Sequence, residues 1–104
     1  MLAGSSGSLV NSVHARFSSP LDAAKNAQKY GVALLKSSRK DKKYMVLNPA
    51  GKFVHFGQMG YEDFTKHKDL KRREAYLKRA TKIKGNWKKD PYSANNLAIN
   101  ILWV

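Results

Sequence analysis

Tyr44-Met45-Val46-Leu47-Asn48-Pro49-Ala50-Gly51-Lys52-Phe53-Val54-His55-Phe56 is the stretch that decides the fold. Two short apolar runs flank Asn-Pro-Ala-Gly, where proline presets φ and glycine accepts a positive φ, a strong turn signal. Each run is too short for a stable helix, and alternation turns Phe53 or Val54 inward, as in a half-buried strand. The spacing predicts two antiparallel strands over 43–47 and 52–56. Upstream, Val32-Ala33-Leu34-Leu35-Lys36 reads as a further strand, joined to the hairpin by the polar turn 37–42. The result is a three-stranded antiparallel meander.

Helices are predicted on both sides of it. Ser19-Pro20-Leu21-Asp22 is a helix start: Ser19 caps, Pro20 occupies a position that needs no donor, and Asp22 faces the positive end of the dipole. Gly31 closes that helix after Tyr30. Beyond the break at Gly57-Gln58-Met59-Gly60, Tyr61 to Phe64 begins a short helical turn. A longer helix starts at the capping Asp69, with Leu70, Tyr76, Leu77, Ala80 and Ile83 near one stripe and Gly85 at its end. Asp90-Pro91 opens a last helix, whose Ala94, Leu97, Ala98, Ile101 and Leu102 lie on one side. The fold class is therefore α+β. A small meander packs with two or three helices, the helices from Asp69 and Asp90 covering the sheet. Residues 20–104 form one small basic domain, and residues 1–19 an extended N-terminal arm.

That arm is rich in Ser and Gly, lacks acidic residues and carries Arg16 as its one formal charge. A presequence for an organelle shares the first two traits but needs more arginine, so an arm is the better reading. Leu9, Val10 and Phe17 are its apolar side chains and are expected to contact protein. The same is expected of Leu102 and Trp103 at the far end, which are too apolar to stay in water.

Charge sets the function classes. Of the 20 lysines and arginines, 17 fall within residues 36–89 against five acids, so nearly all of the net +13 resides there. Such a field attracts phosphate or carboxylate and is screened by salt. Nine cations crowd residues 66–84, opposed by Asp69 and Glu74 alone. A solvated helix face would mix signs to gain i,i+4 pairs, so this one is read as anion-facing. Helical geometry puts Lys71, Lys78 and Lys82 together, with Arg72 and Arg79 beside them. No motif that reads bases is spelled out.

Catalysis finds little support. His14, His55 and His67 stand apart from any metal-ligand spacing, and Gly57 and Gly60 are followed by Tyr-Glu-Asp, which repels phosphate. The absence of cysteine removes thiolate chemistry and suits a reducing compartment. No apolar run approaches the ~18 residues that span a bilayer. We expect no enzymatic activity, no cofactor or metal, no small-molecule substrate and no membrane-spanning segment.

Several strings occur together: Lys42-Lys43-Tyr44, Val54-His55-Phe56-Gly57, Gly60-Tyr61-Glu62-Asp63-Phe64-Thr65, His67-Lys68-Asp69, Arg72-Arg73, Tyr76, Arg79, Asn86-Trp87, Asp90-Pro91-Tyr92-Ser93-Ala94 and Ile101-Leu102-Trp103. In this combination the chain resembles a family of short basic proteins of unknown function encoded by large double-stranded DNA viruses of algae and amoebae. The resemblance runs from about Lys36 to Trp103, and it implies no activity. It implies instead a virion structural component, a minor capsid or internal protein that bridges larger shell proteins and faces an anionic surface. The alternative is a sequence-independent nucleic-acid-binding protein that condenses a genome on its DNA backbone. A small basic protein of a ribosome-like particle is a third reading. On the resemblance the chain would reside in the virion, and the helix from Pro20 would be a local addition that fastens it in place.

Overall fold

In the computed structural model, residues 12–104 are described, with side chains from Ala15 onward. The meander is present as β1 (Leu35–Lys36), β2 (Lys42–Leu47) and β3 (Phe53–Gln58), in the order β1-β2-β3 with both pairings antiparallel. Its register follows from the turn. Asn48 takes the Gly51 N–H on its carbonyl at 2.9 Å and the Lys52 N–H on its side-chain oxygen at 2.9 Å, while Gly51 sits at φ +81°. Tyr44 then faces Phe56, Val46 faces Val54 and Leu47 faces Phe53.

Among the described residues five α-helices accompany the sheet: α1 (Ser12–Phe17), α2 (Pro20–Tyr30), α3 (Phe64–His67), α4 (Leu70–Ala80) and α5 (Ala94–Leu97). A 3-10 turn spans Trp87–Lys89, and α5 runs on into a π-helical turn, Ala98–Leu102. None of these helices, among the described residues, is long and apolar enough to cross a membrane.

The α+β class stands, and the helix pairing differs from expectation. Tyr44, Val46 and Phe56 bury one sheet face against Ala23 and Ala27 of α2 and Leu97, Ala98, Ile101 and Leu102 of the terminal helix. The two alanines let the helices approach closely, and Asn26 Nδ2 ties them by donating to the Ile101 carbonyl at 2.8 Å. So α2 and α5 cover the sheet, and α4 stands away from it. The opposite sheet face carries Leu35, Leu47 and Phe53, all substantially exposed.

Boundaries moved where backbone donors had competing acceptors. β1 begins at Leu35 and not at Val32, because the Val32 N–H closes α2 by donating to Ala27 O at 3.0 Å alongside Gly31 at φ +91°. The last helix starts at Ala94, capped by Ser93, because Asp90 Oδ1 accepts the Tyr92 N–H at 2.9 Å and makes a turn first. α4 stops at Ala80, where the Thr81 hydroxyl donates to Leu77 O at 2.7 Å.

The described end of the expected arm, residues 12–19, is not extended. α1 occupies Ser12–Phe17, and Ser18 is completely buried. Leu9 and Val10 lie outside the described residues.

Candidate functional site

The site is built around a buried ion pair that no local pattern announces. Lys43 and Asp63 are each 2 % exposed, with Nζ 3.0 Å from Oδ2. The ammonium also donates to Phe17 O at 3.0 Å and Tyr61 O at 2.6 Å, so all three of its protons have acceptors. Burial pulls the Lys43 pKa below the ordinary lysine range, against the opposing pull of Asp63. Asp63 Oδ1 accepts the Thr65 N–H at 3.0 Å and the Thr65 hydroxyl, capping α3. From Thr65 the network continues through Ser18 to the Tyr44 hydroxyl, which donates to Ser18 Oγ at 2.8 Å. One cluster thus ties the end of α1, strand β2 and the start of α3, and it fixes where α4 begins.

α4 turns inward three of the five residues expected on its apolar stripe and adds Arg73. Arg73, Tyr76, Leu77 and Ala80 form its covered stripe, whereas Leu70 is 68 % and Ile83 54 % exposed. Arg73 takes an apolar position because its Nε donates to Trp103 O at 2.8 Å and its guanidinium lies 5.6 Å from the Phe64 ring centre. Tyr76 stacks on Trp103 with centroids 4.1 Å apart and planes 5° from parallel, and the His67 ring lies against the indole at 5.3 Å. Burial raises the Tyr76 pKa.

Two expected protein-contact residues are therefore engaged inside the domain. Leu102 is 1 % exposed in the core, and Trp103 is the bracket that holds α4. Apolar side chains at a chain end dock on their own sheet when a face is open to receive them. Phe17, half-buried, contributes its carbonyl to Lys43 and to the Asp63 N–H at 3.1 Å.

Opposite the covered stripe, Lys71, Arg72, Lys78 and Arg79 are exposed, and Lys82 is exposed in the turn beyond the helix. Arg72 stands 3.8 Å from Glu62; Lys71, Lys78, Arg79 and Lys82 make no ion pair among the described residues. The five cations divide into two groups. Arg72 and Arg79 join Ala75 and Tyr76 as one wall of a half-open cleft of about 730 Å³; the three lysines do not line it. Phe56, Gly57, Ala98 and Leu102 lie across the cleft from that wall, and Lys42, Tyr61, Glu62 and Asn95 contribute polar groups. At Gly57, φ is +85° and a Cβ would come within 2.9 Å of Leu102 and 3.1 Å of the Lys43 Cβ, so this wall admits no side chain there.

Neither described histidine enters a metal-ligand group: among the described residues no three His, Cys, Asp or Glu side chains come together for one. His55 Nδ1 pairs with Ser37 Oγ at 2.7 Å. His67 Nδ1 accepts the Asp69 N–H at 2.9 Å, so its neutral ring carries the proton on Nε2, which is buried without a hydrogen-bond partner among the described residues. Burial first, then the charge of Arg72, lowers the His67 pKa against Asp69, Glu62 and Asp63. The unfolded chain then binds a proton at an ordinary histidine pKa of about 6.5 that the folded chain resists. Stability should be level above that pH and fall as pH drops through the lowered folded value. Urea midpoints at pH 7.5 and 5 test this, with His67→Leu expected to reduce the difference.

The comparisons with known proteins add a boundary. Residues 32–80 match the model of DUF5754, a family of unknown function. That segment contains all three strands, both partners of the buried ion pair and four of the five helix cations, and it ends before Lys82 and α5. No curated protein and no solved structure matches the chain.

Lys43, Asp63, Arg73 and Tyr61 were not singled out as site residues from sequence. For Lys43 a faint signal existed, since it directly precedes the apolar run of β2 and would face the sheet. For Arg73 none did, because its acceptor is a carbonyl 30 residues away.

Proposed function

We propose that this chain is a sequence-independent nucleic-acid-binding module that grips the phosphate backbone through the exposed side of α4. One observation carries the reading: the exposed Lys71, Lys78, Arg79 and Lys82, on and just beyond α4, make no ion pair among the described residues. A protein whose positive charges are held apart from acids suffers self-repulsion when free and gains most when phosphates displace counterions. The helix is mounted on Trp103 through Arg73 and Tyr76 and not laid on the sheet, so its lysines stand clear of the domain while Arg72 and Arg79 edge the cleft. Nothing in that arrangement favours one base sequence over another.

The test is binding of the full chain to random-sequence DNA duplexes over a range of salt. Five phosphate contacts give log K falling with log salt at a slope of about −4.5, at about −0.9 per contact. Duplexes of different sequence should bind alike. A slope near zero, or strong preference for one sequence, would remove the reading.

A second reading has its own support. The exposed Leu35, Leu47 and Phe53 form an apolar sheet face of the kind that meets protein. Together with the resemblance to small proteins of large DNA viruses, this favours a virion component that bridges larger shell proteins. Binding to capsid fragments that is insensitive to salt, and lost on Phe53→Lys, would support it over the first.

A further inference from the structure

Backbone gripping by α4 leaves the interior of the cleft beside it unfilled, and the cleft has the features of a binding site. At about 730 Å³ it falls within the ~300–1,000 Å³ range of small-molecule sites. Its inner surface is apolar, formed by Phe56, Ala75, Ala98 and Leu102, whereas Arg72 and Arg79 bring guanidinium groups to the wall. Seven residues of helix separate those two arginines, about 10 Å of rise, with Ala75 between them. The absence of a large side chain at 75 keeps the space open.

Tyr61 also lines the cleft; the residue is 70 % exposed, and its ring has no aromatic partner among the described residues. Its backbone is nonetheless fixed, because its carbonyl accepts from the buried Lys43 ammonium at 2.6 Å. The other large rings are committed: Tyr76 to Trp103, and Phe56 to the core beside Tyr44. Glu62 lines the cleft too, 3.8 Å from Arg72, and so does Asn95. Its Nδ2 donates to Ala80 O at 3.0 Å, which leaves its amide oxygen as an acceptor without a protein partner among the described residues. The Lys43–Asp63 pair lies at the cleft as well but is satisfied internally, so it offers a ligand little net charge.

An anchored exposed ring, an apolar interior, an amide acceptor and two guanidiniums match a planar heteroaromatic group joined to phosphate. We infer that the cleft takes one unpaired nucleobase of a single-stranded nucleic acid, stacked on Tyr61, with the adjoining phosphates on Arg72 and Arg79. This rests on the proposed backbone contact along α4 and adds a preference to it. A duplex keeps its bases paired and stacked, so it can reach the exposed cations of α4 but cannot fill the cleft. Base–aromatic stacking is tolerant of sequence, in keeping with a binder that reads no code.

The experiment compares a fluorescent oligothymidine, a duplex of equal length and a free thymidine monophosphate competitor, all against the full chain at one salt concentration. Wild type should bind the single strand more tightly than the duplex. Ala75→Phe fills the cleft without altering charge, and Tyr61→Ala removes the stacking ring from an exposed position. Each should weaken single-strand binding by about fivefold or more, the low end for loss of one base stack, and leave duplex binding within twofold. Melting curves matching wild type would place these losses in the site and not in folding. If both variants melt as wild type and bind the single strand unchanged, the inference is overturned while duplex binding leaves the backbone reading intact. A monophosphate that binds the cleft and is excluded by Ala75→Phe, with oligothymidine unaffected, overturns it in favour of a free nucleotide. Failure of either nucleic acid to bind at low salt defeats both readings together.

Discussion

Asp63→Asn should destabilise the protein by about 3–5 kcal/mol, the cost of removing one partner from a buried ion pair. Asparagine keeps the shape of the side chain and an oxygen for the Thr65 N–H, so the α3 cap survives and the loss isolates charge. What remains is the Lys43 ammonium at 2 % exposure, donating to the Phe17 and Tyr61 carbonyls but without the carboxylate that stood 3.0 Å away. Neutral carbonyl acceptors do not offset the desolvation of a cation. For a domain of this size the shift corresponds to a melting temperature lower by at least about 12 °C. Out of a total stability of roughly 5–15 kcal/mol, such a loss leaves a marginal protein. Adding Lys43→Met should recover part of it, since the buried charge then disappears, although Phe17 O and Tyr61 O lose their donor. Urea denaturation of the four-member cycle measures the coupling directly. An Asp63→Asn protein within 1 kcal/mol of wild type would show that the pair does not hold α3 to the sheet.

That pair also marks the limit of what the residues disclose when read in order. α2 was legible because every signal for it is local: Ser19 before Pro20, Asp22 in the first turn, Gly31 at the end. The hairpin was legible for the same reason, its register set by Asn48 and Gly51 within one turn. The charged side of α4 could be read from helical spacing, and it is exposed as expected. Its covered side could be read in part, at Tyr76, Leu77 and Ala80. Helical spacing put Leu70 and Ile83 inward, but Arg73 won that place through a hydrogen bond to Trp103 O, and the helix ended before Ile83. Trp103 looked like a handle for a partner because its true partner, Tyr76, becomes adjacent only when the terminal helix has folded back. Burial of Lys43 depends on Asp63, 20 residues on, and lysine beside an apolar run is far more often solvated than paired. The cleft is least legible of all, since it is the space left between α4 and the sheet by these long-range contacts.

Replacing Lys71, Lys78 and Lys82 together by glutamine should weaken duplex binding by between about 10² and 10³-fold at 0.1 M salt. The estimate follows from counterion release: each phosphate contact changes log K by about 0.9 per decade of salt, and 0.1 M lies one decade below the 1 M reference. The salt slope should become shallower by about 2.7 in the same variant. All three side chains are exposed, form no ion pair among the described residues and do not line the cleft, so folding should be unaffected or slightly improved by relief of self-repulsion. Net charge alone offers a rival explanation, because the variant drops from +13 to +10. A control resolves it: Lys25, Lys29 and Lys52 are also exposed but lie on α2 and at the hairpin turn. Their replacement by glutamine changes the total charge by the same amount at positions off the α4 surface. A localised site predicts a loss for this control far smaller than for the helix variant, with little change in slope. Equal losses would mean that DNA responds to the charge of the whole molecule, and α4 would lose its status as the binding face.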